Sequence, residues 1–229
     1  MWNEQIKSRF LKTDPATYGH YLGVRFMGAK MKPICKTSKM IGPAYTVKLM
    51  GKDSFALYKA LEDAPAGSII VIDRCGDDVY ACVGEMVARN AKAYGMGGIV
   101  IDGTATDSLW IEKMDFPVFC TGISVVTSNV WGISGEGNID ISCCGAVVRP
   151  GDLVFGDADG VVVLPSVGYV DMLSTAEEAA AREIIMRARF EAGEGPLLKT
   201  VQPLAEADMV GMINDIRMGI AEAPKKKNK

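Results

Sequence analysis

The chain has 229 residues, 48% of them hydrophobic and 23% charged, with six cysteines and a single histidine, close to the proportions of an ordinary globular protein. Lys and Arg number 25 against 28 Asp and Glu, a formal net charge of −3, so no basic field draws the protein to nucleic acid or an anionic membrane. One histidine excludes sites that need two imidazoles, HExxH and three-His zinc among them; a His-dependent triad has only His20 to use.

In chain order, Trp2 to Leu11 sets Ile6, Phe10 and Leu11 on one face, which predicts an opening helix. This start lacks the apolar core of a signal peptide, and no apolar run is long enough to cross a bilayer, so a soluble cytoplasmic protein is expected. The cysteines form no CxxC pair and are expected as reduced, mostly buried thiols rather than a zinc site. Ala44 to Met50 reads as a strand and Ser54 to Leu61 as a short helix. Ser68 to Asp73 is a β-branched run ending on a carboxylate. Ala81 to Tyr94 has helical spacing and stops at Gly95. Gly98 to Asp102 is a second buried-type strand ending on Asp, Gly103 turns the chain into a helix from Asp107 to Lys113, and Pro117 to Cys120 is a third strand.

After Gly122 the pattern changes. Ser128 to Asn138 reads as a long loop. Short strands follow at Ala146 to Val148, Leu153 to Phe155 and Val161 to Leu164, with Asp157-Ala158-Asp159-Gly160 as a hairpin turn rather than a calcium loop. Ser166 to Ala192 predicts one long helix, and Pro203 to Gly219 a last amphipathic one, before a lysine-rich tail over 224–229 read as a solvated end. Helices alternate with strands early and hairpins come late, so the class is mixed α/β, in one domain over 1–229.

Candidate chemistry gathers at strand ends. Asp73, Asp102 and Asp107 lie at or beyond the C-terminal ends of two predicted strands, where α/β folds bind ligands. Gly84-Glu85-Met86-Val87 opens a helix whose free N–H groups suit a carboxylate. Asp102-Gly103-x-x-x-Asp107 sets two carboxylates about a tight turn, a pattern that supports an oxygen-ligated cation such as Mg²⁺. Gly95-x-Gly97-Gly98 precedes its strand, the wrong side for a dinucleotide fingerprint, and reads as a turn.

These same residues carry a resemblance. Gly84-Glu85-Met86-Val87-Ala88, Gly98 to Asp107 and Phe116-Pro117-Val118-Phe119 resemble the RraA-like superfamily. So do the flanking blocks Ser38 to Val47 and Arg149 to Pro165, for a match over roughly 38–195. That superfamily contains the class II 4-hydroxy-4-methyl-2-oxoglutarate/4-carboxy-4-hydroxy-2-oxoadipate aldolases and the regulator of ribonuclease E activity. The resemblance implies a layered α/β/β/α fold, assembled as a homotrimer or a hexamer with sites between subunits. It implies Mg²⁺ or Mn²⁺ held by Asp107, mostly through waters, with Glu85 beside it. It further implies a pyruvate-like carboxylate on the Gly84 turn and the Met86 and Val87 amides, and a glutamate from a neighbouring subunit's long helix, Glu183 or alternatively Glu178.

Two positions depart from the aldolase pattern. Thr106 stands where those enzymes carry the arginine that polarises the substrate carbonyl, and Thr121 where a second arginine is usual. Arg74, at a predicted strand end, is the candidate substitute, to be tested by turnover in Arg74→Ala. The implied function is a metal-dependent carbon–carbon lyase on a small 2-oxo acid, by retro-aldol cleavage or oxaloacetate-type decarboxylation. The alternatives are a non-catalytic RraA-type protein-binding regulator, or an enzyme of the same fold with another reaction.

Overall fold

A computed structural model describes residues 2–19 and 24–195. His20, the predicted helix over 203–219 and the lysine-rich tail lie outside the described residues. These fall into two units, divided after Ala180.

In chain order the elements are α1 (Glu4–Phe10), α2 (Pro15–Tyr18), β1 (Arg25–Phe26), β2 (Lys32–Pro33), β3 (Met40–Lys48), α3 (Phe55–Asp63), β4 (Ile69–Asp73), α4 (Glu85–Ala93), β5 (Gly98–Ala105), α5 (Ser108–Ile111), β6 (Val118–Ile123), β7 (Glu136–Gly137), β8 (Ile141–Cys143), β9 (Ala146–Val148), β10 (Leu153–Asp157), β11 (Gly160–Leu164) and α6 (Tyr169–Glu191). The main sheet has the order β1-β11-β10-β3-β4-β5-β6-β2, with β7 on β3, and β8 and β9 form a separate hairpin.

β3 serves both halves of that sheet. Its first residues run antiparallel to β10, ending at Pro43 opposite Leu153, and from Ala44 onward it runs parallel to β4. Pro43, with no N–H to give, sits where the pairing changes partners. β4, β5 and β6 continue in parallel, linked through α3, α4 and α5 as the alternating helix and strand patterns predict. The far edges are tied together, since the Lys32 ammonium on β2 donates to the Asp159 carbonyl at the β10–β11 turn, 2.5 Å away.

Alternation along the strands builds two faces. Ile70, Ile72, Ile99 and Ile101 pack outward against Leu57, Leu61, Ala88 and Ala91 of α3 and α4. Ile69, Val71, Val100 and Phe119 pack inward against Val154, Val161 and Val163 of the opposite half and against the β8–β9 hairpin. Phe10, Tyr18 and Leu173 of α1, α2 and α6 cover the outer face of β10 and β11 through Phe155 and Leu164. The result is the layered α/β/β/α arrangement, and each buried aliphatic side chain contributes about 1.5–3 kcal/mol.

Several boundaries move. β5 continues past Asp102 to Ala105 and β6 past Cys120 to Ile123, so Gly103 lies inside a strand and makes no turn. The helix expected from Ala81 starts at Glu85, because Ala81 and Val83 form single parallel bridges to Thr127 and Ala105. Of the six free thiols only Cys82, Cys120 and Cys143 are buried; Cys75 is exposed and Cys35 and Cys144 are half-buried. In the second unit α6 continues to Glu191, with Ile184, Ile185 and Phe190 exposed.

Candidate functional site

The bridge at Val83 builds the site. The Thr106 amide donates to the Val83 carbonyl at 2.9 Å, and Ala81 is bonded on its other side to Val126 and Ser128. This draws Gly84 against the end of β5. A Cβ on Gly84 would stand 2.5 Å from Asp107 Oδ2 and 2.8 Å from Thr106 Cγ2, so only glycine allows the approach. Asp107 adopts a left-handed backbone, φ 55 and ψ 34, which few residues besides Asn and Asp tolerate. Its Oδ2 accepts the Glu85 amide at 3.0 Å.

Glu85 is the first residue of α4, and the cap, Gly84, has no side chain to occupy the helix N-terminal amides. The N–H groups of Met86 and Val87, in the first turn of α4, are without an intrahelical acceptor and favour negative charge. Met86 is 64% exposed. The Glu85 carboxylate takes the Arg89 guanidinium one turn on, at 2.8 Å from both Nε and Nη2. Gly84, Glu85, Thr106 and Asp107 are thus gathered around the start of α4, with the exposed Asp107 carboxylate on the first amide of that helix.

Two expected members are elsewhere. Asp102 lies within β5, beside Asp73 of β4, and its Oδ2 accepts the Cys144 amide at 2.5 Å. It shares the inward parity of Val100, so no turn joins it to Asp107. Arg74 is wholly buried. Its Nη2 donates to the Gly51 carbonyl at 2.7 Å and to Asp77 at 2.6 Å, while Nε and Nη1 have no partner among the described residues. With Gly103 packed on its stem, Arg74 is sealed from solvent where a substitute for the missing arginine would have to be open. Thr121 spends its hydroxyl on the Gly103 carbonyl at 3.0 Å. Glu178 and Glu183 are both exposed residues of α6, one in each unit.

Sequence reasoning overlooked Lys30, Lys32 and Asp53. Lys30, Lys32, Ser108, Glu112 and Thr121 line a cleft of about 360 Å³ beside Asp107's neighbour Ser108; the only signal was a pair of lysines around Met31. Asp53 is 1% exposed and accepts the amides of Phe55, Trp131, Gly132, Ile133 and Ser134 at 2.7 to 3.3 Å. Burial works against its charge, but amides of Trp131, Phe55, Ile133 and Ser134 outweigh it and hold the carboxyl far below the ordinary range.

Among the described residues no three His, Cys, Asp or Glu side chains converge to cage a metal. The donor at the site is a single exposed carboxylate, Asp107, with one oxygen already engaged by the Glu85 amide. That suits Mg²⁺ or Mn²⁺, hard cations of which Mg²⁺ binds through one or two carboxylates and keeps its waters. The buried Cys82 does not suit a soft metal, since burial pushes its thiol up to about 12.

The RraA-like description, Aldolase/RraA, matches residues 16–163. A protein of Halalkalibacterium halodurans that bears the name "Putative 4-hydroxy-4-methyl-2-oxoglutarate aldolase" is 38% identical over 159 residues, 69% of this chain and 75% of that one. An uncharacterized protein of Methanocaldococcus jannaschii is 33% identical over 72% of this chain and 79% of its own length. Among solved structures, Streptomyces coelicolor RraAS2, described as an unusual member of the RNase ES inhibitor RraA protein family, superposes with a TM-score of 0.73 at 25% identity, covering 82% of this chain and all of that one. The chain belongs to the RraA-like family.

Proposed function

We propose that the protein is a divalent-metal-dependent carbon–carbon lyase acting on a small 2-oxo acid, by retro-aldol cleavage or decarboxylation of an oxaloacetate-type substrate. The observation that carries it is the Asp107 carboxylate, held by the Glu85 amide beside the uncapped start of α4. The Met86 and Val87 amides bind the substrate carboxylate and turn the 2-oxo group toward Asp107. Asp107 would hold the cation, which supplies positive charge where an oxygen turns negative as the C–C bond breaks. Glu85, kept in place by Arg89, orients that end of α4 and adds a second carboxylate to the site. Thr106 offers a hydroxyl but no charge. Glu183 of a second copy, with Glu178 as the alternative, completes the acid–base set.

The exposure of Leu109, Trp110, Val125 and Ile133 is apolar surface of the kind that subunit contacts cover. It supports assembly as a homotrimer or hexamer, to be measured by light scattering. No helix among the described residues is long and apolar enough to cross a membrane; we place the protein in the cytoplasm.

A second reading, a non-catalytic binding regulator, is favoured by the threonines at 106 and 121, which leave the site without the two arginines of the aldolase pattern. One assay separates the two. Protein with Mg²⁺ or Mn²⁺ is given oxaloacetate or a 4-hydroxy-2-oxo acid and coupled to pyruvate detection. Pyruvate from wild type but not from Asp107→Ala is the expected result; equal background from both sinks the lyase.

A further inference from the structure

We propose that the cleft between β2, α5 and β6 is an anion subsite in which Lys30 and Lys32 hold the distal carboxylate of a dicarboxylic 2-oxo acid, an assignment that rests on the lyase reading of the adjacent Asp107 site. The cleft measures about 360 Å³, enough for a short acid chain rather than a large ligand. Its position is set by the topology. β5 and β6 are parallel, so both C-terminal ends open on the same edge of the sheet, the edge where such folds bind ligands. Ser108, which walls the cleft, directly follows Asp107. The cleft and Asp107 therefore share that edge, one residue apart through Ser108, and in the proposed pose a substrate with its 2-oxo end at Asp107 directs its tail toward the lysines.

The charges fit a carboxylate. Lys32 is immobilised by its bond to the Asp159 carbonyl, and its ammonium retains further N–H donors for a ligand. Lys30 has no acceptor of its own among the described residues and is exposed at the mouth. Thr121 has already given its hydroxyl proton to Gly103, which leaves the two ammonium groups as the charged donors, beside the Ser108 hydroxyl. Glu112 faces the same space. Two ammonium groups against one carboxylate leave the cleft net positive, while Glu112 repels a tail bearing a second anionic group.

Titration calorimetry on the full chain with Mg²⁺ tests this, using 2-oxoglutarate as an unreactive dicarboxylate and pyruvate as its monocarboxylic counterpart. Wild type is expected to bind 2-oxoglutarate more tightly than pyruvate. Lys30→Glu is expected to weaken 2-oxoglutarate about tenfold and leave pyruvate unchanged, and Lys30→Arg to restore most of the loss. Lys30 makes no bond that the fold needs, so its variants remain folded. Equal affinity for the two acids, or an unchanged 2-oxoglutarate affinity in Lys30→Glu, overturns the subsite even if pyruvate is released from oxaloacetate. Lys30-dependent binding without any pyruvate release upholds the subsite and overturns the lyase instead.

Discussion

The Asp107 carboxylate accepts the Glu85 amide at 3.0 Å, joining the C-terminal end of β5 to the first residue of α4. That bond holds a left-handed aspartate that is exposed to solvent. It forms because Gly84 brings no Cβ between the two segments. Gly84→Ala would push the carboxylate aside and is expected to lower turnover by about 10²-fold, the cost of a misplacement near 1 Å. Thermal stability should change far less than activity, and circular dichroism melts beside the pyruvate assay check this.

Thr106 supplies no cation beside Asp107. Thr106→Arg is expected to raise kcat for retro-aldol cleavage by about 10²–10³, the usual worth of one preorganised donor facing the transition state. Steady-state kinetics on a 4-hydroxy-2-oxo acid give the result. An unchanged rate in a folded variant means that the reaction here does not develop charge at that position.

Asp53 ties the 131–134 segment to the start of α3. In the unfolded chain its carboxyl returns to the ordinary value of about 3.9. As pH falls through that value the unfolded chain takes up a proton that the folded form refuses, so stability declines toward acid. It is fully present at neutral pH and is lost progressively until Asp53 itself protonates, well below the ordinary carboxyl range. Asp53→Asn is therefore expected to melt lower at neutral pH and to show a flatter loss between about pH 4 and about pH 2. Urea midpoints across that range measure the slope.

Arg74 is buried, with Asp77 as its only charged partner among the described residues. Arg74→Ala leaves Asp77 uncompensated at a site that is 16% exposed and is expected to lose about 3–5 kcal/mol. Adding Asp77→Asn should recover part of that loss in denaturant titrations. The KM for a 2-oxo acid should stay at the wild-type value, because the guanidinium does not reach the solvent-facing side of the loop.

Much of the fold is legible in the sequence because its signals are local. The β-branched runs around Ile69–Asp73 and Ile99–Ile101 have no polar alternation, as strands buried on both faces require, and the glycines at 95 and 160 end or turn elements where they stand. Of the site, Gly84, Glu85, Thr106 and Asp107 were legible as motif positions, and the structure brings them together. Asp102 was misjudged because strand length cannot be read from an apolar run alone. Once β5 extends to Ala105, parity with Val100 sends Asp102 inward, toward Cys144.

Arg74, Lys30 and Asp53 were beyond reach for a different reason. Whether a charge is sealed, free or bonded to five amides depends on segments tens of residues away, such as the 131–134 loop that closes on Asp53. The single histidine already excluded sites built on two imidazoles, since composition restricts which ligands exist. Which carboxylate stands at the start of α4 was decided by pairing register and by the bridge at Val83. Side-chain direction along a strand alternates with every residue and takes its absolute sense only from the neighbours it pairs with.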